Sequence, residues 1–216
     1  MLIGVGENLG LKPAKKYEFR VFVSPVGPYY KDSGMAVISL AVSKFDRAAP
    51  NGTGKYKAGA NYAGGLLATL NAQDLGANEA LYLDSAQNRY IDEAGSANIV
   101  IFTKDQKLIT PSSEAILPSI TRRSVMELAE SELSLPTEAR PIELRAEFAN
   151  FQEMAACGTA AVIAPVGKVW FDNDWRTVFQ DGESVGPIMS ELYELLVGIQ
   201  RGEKEDKFGW LYSIDL

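Results

Sequence analysis

GTGKYKAGANYAGG, from Gly52 to Gly65, sets Lys57 among glycines and small residues and follows it with Tyr62. Small neighbours let a flat cofactor ring come close. A lysine that forms a Schiff base needs a site that binds and largely dehydrates the aldehyde, with surroundings that lower its amine pKa. A tyrosine nearby can tune the ring's phenolic oxygen. The stretch therefore carries a pyridoxal phosphate reading. The competing reading is a plain Gly/Ala-rich turn entering a helix, the commoner use of such a turn.

Outward from this stretch, Ala60 to Leu75 has the length and Ala/Leu content of a helix, with Gly76 as its stop. On the N-terminal side, Tyr17 to Ser24 (YEFRVFVS) and Met35 to Ser43 (MAVISLAVS) read as strands, separated by the loop that contains VGPYY. On the C-terminal side, Ala80 to Asp84 and Tyr90 to Ile91 predict one hairpin. Asn98 to Phe102 and Lys107 to Ile109 predict a second, turned at Lys104 to Gln106. Val125, Leu128 and Ala129 give Thr121 to Leu133 helical spacing. Arg140 to Leu144 and Ala160 to Val166 read as strands, and Gly186 to Ile199 as an amphipathic helix. Strands and helices alternate without a strict βαβ period, which predicts a mixed α/β or α+β sheet rather than a dinucleotide-binding one.

The 216 residues suffice for one large domain or two small ones. A net charge of −7, with no clustered Lys/Arg, argues against nucleic acid as a partner. No apolar run reaches the roughly 18 residues that would span a bilayer, and the start lacks signal-peptide order, so a cytoplasmic protein without a membrane partner is expected. Cys157 is the single cysteine and histidine is absent, which closes off imidazole-assisted nucleophiles and cysteine or histidine metal sites. No metal is expected. The chemistry left uses lysine, tyrosine, carboxylates, hydroxyls, backbone donors and a cofactor.

Two further segments add to the first. In IDEAGSANIVIF, Ile91 to Phe102, Glu93 ends a strand-like run beside small residues, where a carboxylate could face a buried ring and keep a pyridine nitrogen protonated. In AILPSITRRSVMELA, Ala115 to Ala129, Ser119-Ile120-Thr121 leads into a helix whose free N–H groups suit a phosphate. Each has a plain alternative, a solvated turn glutamate and an ordinary N-cap.

Together with ACGTAAVIAPVG, Ala156 to Gly167, these segments closely resemble the fold-type IV pyridoxal phosphate enzymes, and within them the branched-chain amino acid aminotransferases. GTGxxKxGxNYA, ExGxxN, LPSITR and CGTAAxIxPVG stand in family order at family spacings, and VGPYY and the tail VGPIMSELYELLVGIQRGEKEDKFGW extend the match. The resemblance implies a large domain whose mixed sheets form a pseudo-barrel flanked by helices. It implies pyridoxal 5'-phosphate as cofactor and a homodimer. The implied reaction is ping-pong transfer of the amino group of leucine, isoleucine or valine to 2-oxoglutarate. Lys57 resembles the Schiff-base lysine that also moves the proton between Cα and the cofactor. Tyr62 resembles the partner of the phenolic oxygen and Glu93 that of the pyridine nitrogen. Ile120 and Thr121 resemble phosphate donors, joined by Thr159, and Arg47 an arginine on the phosphate side. Thr159 and Ala160 lie where family amides meet the substrate carboxylate, with Ser96 nearby. Tyr29 falls in the interdomain loop over the side-chain cavity.

The family has a small N-terminal and a large C-terminal domain. Against that pattern, residues 1–34 read as the end of the N-terminal region with the interdomain connection, and residues 35–216 as the large cofactor-binding domain. The small N-terminal domain is expected to be absent, so that residues 1–216 alone would turn over poorly. Cys157 has no partner three residues away and reads as a small buried hydrophobe. Alternatives are a non-catalytic domain of this fold, an aminodeoxychorismate lyase and a D-amino acid transaminase.

Overall fold

The computed structural model describes residues 1–25 and 35–214; Tyr29 and the rest of VGPYY lie outside the described residues. The chain begins with two short strands, β1 (Leu2–Val5) and β2 (Lys16–Phe19), then β3 (Ile38–Val42) and helix α1 (Gly59–Asp74). Next come β4 (Glu79–Leu83), β5 (Ile91–Ala94), β6 (Asn98–Thr103), β7 (Leu108–Pro111) and α2 (Ile120–Ser131). After β8 (Thr137–Arg140), the one-turn α3 (Leu144–Glu147) and a 3-10 turn at Phe148–Asn150 lead to β9 (Phe151–Gly158) and β10 (Val162–Phe171). The described part closes with β11 (Asp174–Thr177) and α4 (Pro187–Gln200).

β1 and β2 pair antiparallel with each other alone, from Leu2 opposite Phe19 to Val5 opposite Lys16. The strand expected over Tyr17 to Ser24 therefore stops at Phe19, where its short partner ends. The remaining strands make one mixed sheet in the order β5-β4-β3-β10-β9-β6-β7-β8, with β11 added to β10. β3 runs parallel to both β4 and β10, and β7 parallel to β8, while the hairpin partners are antiparallel. The sheet curls: the Ile91 amide on edge strand β5 donates to the Ile142 carbonyl, just beyond β8 at the other edge, at 2.9 Å. This is the mixed α/β, barrel-like architecture expected from the sequence.

Period-two alternation divides the core between the two faces. On β6, Ile99 and Ile101 point into one cluster with Leu40, Leu81, Ile109 and Phe171, inside the curl. Val100 and Phe102 point the other way, where Val125, Leu128 and Ala129 of α2 and Leu192, Leu196 and Ile199 of α4 cover them. α1 sits on β3 and β4 through Ala68 and Ala72, and the small residues let the helix come close. Gly65 must be glycine here, since a Cβ would lie 2.9 Å from the Tyr82 hydroxyl. Gly76, at φ +83°, ends the helix as expected.

Two expectations need correction. Arg140 to Leu144 is not a strand: β8 ends at Arg140 because Pro141 has no N–H for the ladder, and a helical turn starts at Leu144. The strand expected over Ala160 to Val166 begins at Val162, after a turn over 159–161, and continues to Phe171.

Candidate active site

Four chain segments meet around a cavity of about 650 Å³. They are the entry to α1 with Lys57 and Tyr62, the β5–β6 turn with Gly95, Ser96 and Ala97, the start of α2 from Leu117 to Ile120, and the β9–β10 turn from Gly158 to Ala161. All four expected motifs converge here. The size falls within the range of about 300–1,000 Å³ usual for small-molecule and cofactor sites.

The loop that carries Lys57 is tied down by Asn61, a buried side chain in the first turn of α1. Its amide donates to the carbonyls of Thr53 (2.8 Å) and Tyr56 (3.1 Å), and its oxygen accepts from the Thr53 hydroxyl at 2.6 Å. Lys57 is itself exposed, and its Nζ donates to the Tyr62 hydroxyl at 2.9 Å. The dehydrated lysine expected from the sequence is therefore not enclosed by the described residues.

Glu93, on β5, is buried in the wall of the same cavity, and both of its oxygens are engaged. Oε1 pairs with Arg47 Nη2 at 2.5 Å and Oε2 accepts from Asn98 Nδ2 at 2.6 Å. Burial raises its carboxyl to about 7, against the pull of the Arg47 guanidinium in the other direction. A second acid beside the β5–β6 turn, the half-buried Glu79, packs against Gly95. Burial raises it too, opposed by hydrogen bonding from Ser96.

α2 opens on Ser119, whose hydroxyl accepts from the Arg122 amide at 3.2 Å. Pro118, Ser119 and Ile120 form wall, so the free N–H groups of the first helical turn stand beside the cavity. Across from them, Thr159 and Ala160 are exposed in the β9–β10 turn. Cys157 lines the floor, fully buried, with its thiol pushed up to about 12 by burial.

Of the residues singled out from the sequence, Lys57, Tyr62, Glu93, Ser96, Ile120, Thr159 and Ala160 share this wall. Thr121 is buried and lines no part of it, and Tyr29 lies outside the described residues. Arg47 lines no part of the wall; it pairs with Glu93 and bonds the Ala115 carbonyl in the lead into α2. Sequence reasoning passed over Asn61, Asn98 and Glu79. The first two were visible as the asparagines of KAGANY and ExGxxN, and Glu79 carried no signal.

The residues present suit a flat, anionic cofactor with a protonated ring nitrogen. A buried, arginine-paired carboxylate faces the cavity, small residues at Gly95, Ala97, Gly158 and Ala160 leave room for a ring, and a helix start offers donors for a phosphate.

Comparison with known proteins supplies the context. Residues 2–169 match the family model described as amino-transferase class IV. The chain is 44% identical over 217 residues to the branched-chain-amino-acid aminotransferase of Helicobacter pylori strain J99, covering 99% of this chain and 62% of that protein. Among solved structures, Escherichia coli branched-chain amino acid aminotransferase superposes with a TM-score of 0.76 at 34% identity, over 89% of this chain and 60% of that one. The branched-chain amino acid aminotransferase from Thermobaculum terrenum, in its PLP-form (holo-form), gives a TM-score of 0.67 at 28% identity, over 78% of this chain and 52% of that one. The chain thus spans somewhat less than two thirds of the length of the relatives it matches.

Proposed function

We propose a function from one premise: this chain belongs to the amino-transferase class IV family. The whole protein is a transaminase that uses pyridoxal 5'-phosphate to move the amino group between branched-chain L-amino acids (leucine, isoleucine, valine) and 2-oxoglutarate. Residues 1–34 are the end of an N-terminal region with the interdomain connection, and residues 35–216 the cofactor-binding domain. The observation that carries the reading is that Lys57, hydrogen-bonded to Tyr62, and the buried Glu93 line one cavity.

When bound, pyridoxal phosphate supplies an aldehyde that takes up amino groups and a ring that accepts the electron pair left at Cα. The chain's own residues do the rest. Lys57 holds the cofactor through Nζ and, once released from it, moves the proton at the substrate Cα. Tyr62 orients Nζ and donates toward the ring's phenolic oxygen. Glu93 keeps a proton on the ring nitrogen, because a carboxylate opposite an N–H⁺ favours the charged form. Backbone and hydroxyl donors of Ile120 and Thr121, joined by Thr159, hold the phosphate, and the turn amides of Thr159 and Ala160, near Ser96, hold the substrate carboxylate.

The protein is further read as a cytoplasmic homodimer. Leu66, Leu67 and Leu70 stand exposed on the outer side of α1, which supports a covered face. The lone, buried Cys157 suits a reducing compartment. No helix among the described residues is long and apolar enough to cross a membrane.

Two measurements on the whole protein test the reading. Borohydride reduction after loading with pyridoxal phosphate should fix a pyridoxyl group on Lys57, read by peptide mass. A leucine and 2-oxoglutarate assay should give glutamate. Labelling of another lysine would remove Lys57 from its role, and activity confined to D-amino acids or aminodeoxychorismate would move the protein elsewhere in the family.

A further inference from the structure

We propose that Arg47 is a positioning residue, which favours the charged form of Glu93 and holds its carboxyl group at the cavity from behind the wall. The role rests on the reading of the cavity as a pyridoxal phosphate site. Arg47 reaches no part of the wall, and its side chain is only 4% exposed. Its Nη2 donates to the carbonyls of Gly54 (2.8 Å) and Ala115 (2.7 Å) and pairs with Glu93 Oε1 at 2.5 Å. One guanidinium therefore joins three chain segments: the loop that carries Lys57, the lead into α2 and strand β5. Gly54 is pressed so closely on Ala115 that a Cβ would lie 2.6 Å from the Ala115 Cα. The arginine and this contact set the spacing between the lysine loop and the start of α2.

The electrostatics give the clamp its chemical purpose. Glu93 is as buried as Arg47, and an isolated carboxylate at that depth takes up a proton rather than stay charged. The neighbours decide the outcome. Asn98 Nδ2 and the Leu117 amide favour the charged form, as Arg47 does. Asp92, the next residue on β5, is also buried and has an oxygen without a partner among the described residues, and its charge opposes that of Glu93. Tyr82 and Cys157, the other titratable side chains electrostatically coupled to this pair, are both raised by burial and neutral near pH 7. Among the described residues Arg47 is thus the one cation paired with Glu93, and its charge also pulls Asp92 toward the ionised form; a protonated ring nitrogen in the cavity would supply a second cation. If Arg47 were neutral, Glu93 would carry its own proton and could not hold one on the ring. A lysine would bring the charge but end one bond short of Nη2, the single nitrogen that makes all three contacts.

The test compares the whole wild-type protein with Arg47→Gln and Arg47→Lys, each checked for folding by circular dichroism. In the cofactor-free proteins, carboxyl ¹³C NMR, assigned with Glu93→Gln, follows the Glu93 titration. The midpoint should rise by about one to three pH units in Arg47→Gln and less in Arg47→Lys. After loading with ring-¹⁵N pyridoxal phosphate, the ring nitrogen should be protonated in the wild type and shift toward its neutral position in Arg47→Gln. An unmoved Glu93 midpoint in folded Arg47→Gln overturns the proposal. Should that variant not fold, the wild type still decides it: the Arg47 guanidinium ¹⁵N signals must move with the Glu93 midpoint, and flat signals overturn it. A wild type that fails to bind the cofactor would end the functional reading, whereas the cofactor-free titration would still judge Arg47.

Discussion

Lys57 Nζ donates to the Tyr62 hydroxyl at 2.9 Å and lies 4.8 Å from the centre of the same ring. The five-residue spacing spans the start of α1, so the helix sets where Tyr62 stands, and Tyr62 sets where the amine points. Since Lys57 is exposed, nothing else among its described neighbours fixes the amine by hydrogen bonding.

Tyr62→Phe should therefore leave the fold intact and loosen the amine. A hydrogen bond to a charged group contributes about 1.5–3 kcal/mol, and an exposed one falls at the lower end, so cofactor affinity should drop about tenfold. Fluorescence titration of the whole protein with pyridoxal phosphate measures this. Unchanged affinity would show that the bond does not hold the lysine in solution.

Glu93 gives a stability signature that needs no cofactor. Its carboxyl stands at about 7 in the folded chain against an ordinary 4.5, so between these values the folded state binds more protons than the unfolded one. Stability must then fall as pH rises through that window, by on the order of 3 kcal/mol from this group. Glu79, Asp92 and Glu153 are also raised by burial and contribute with the same sign. Denaturant melts of wild type and Glu93→Gln from pH 5 to pH 8 isolate the Glu93 part: the wild type should lose more stability than the variant. In the loaded enzyme, the same substitution should slow proton abstraction by about a hundredfold or more with cofactor still bound, since an amide holds no proton on the ring nitrogen.

Glu153 performs a structural task at the far face of the sheet. Its oxygens accept the Ile188 amide (3.1 Å) and the Met189 amide (2.9 Å), capping α4 from a neighbouring strand. Gly186 makes room, because a Cβ there would lie 2.1 Å from the Glu153 carboxyl carbon. Glu153→Ala strands two amides and should cost about 2–4 kcal/mol in urea unfolding. Gly186→Ala should cost a comparable amount by displacing the carboxylate. The two should be strongly non-additive, with Gly186→Ala mild in the Glu153→Ala background.

The elements with one dominant signal were legible in the sequence. α1 carries an Ala/Leu-rich composition stopped at Gly76, α2 and α4 carry apolar spacing, and the hairpins around Asn88 and Gln106 carry turn residues that adopt positive φ. β9 was not read, because FQEMAACG pairs alanines with a buried glutamate, a composition of low strand propensity that only its two neighbours make a strand. The wall of the cavity was legible because its motifs hold reactive residues among small ones. What stands behind the wall was not: Arg47 and Glu79 act through contacts 46 and 16 residues away in sequence, to Glu93 and Gly95, and no local pattern marks such pairs.

On the proposed reading, the start of α2 holds the phosphate apart from the groups that do the ring chemistry. Ser119 caps the helix through the Arg122 amide and stands in the cavity wall beside Ile120. Ser119→Ala removes the cap, which should cost about 1 kcal/mol of stability and let the first turn fray. The donors of that turn then spend less time aligned, so anion binding weakens, about threefold to tenfold. Because the phosphate is common to pyridoxal phosphate and pyridoxamine phosphate, both should lose affinity by the same factor. Turnover at saturating cofactor should stay near wild type, since Lys57, Tyr62 and Glu93 are untouched. Calorimetric titration with each form, beside a saturated leucine assay, checks all three expectations. A loss confined to the aldehyde form would place the phosphate elsewhere and leave the α2 start as an ordinary capped helix.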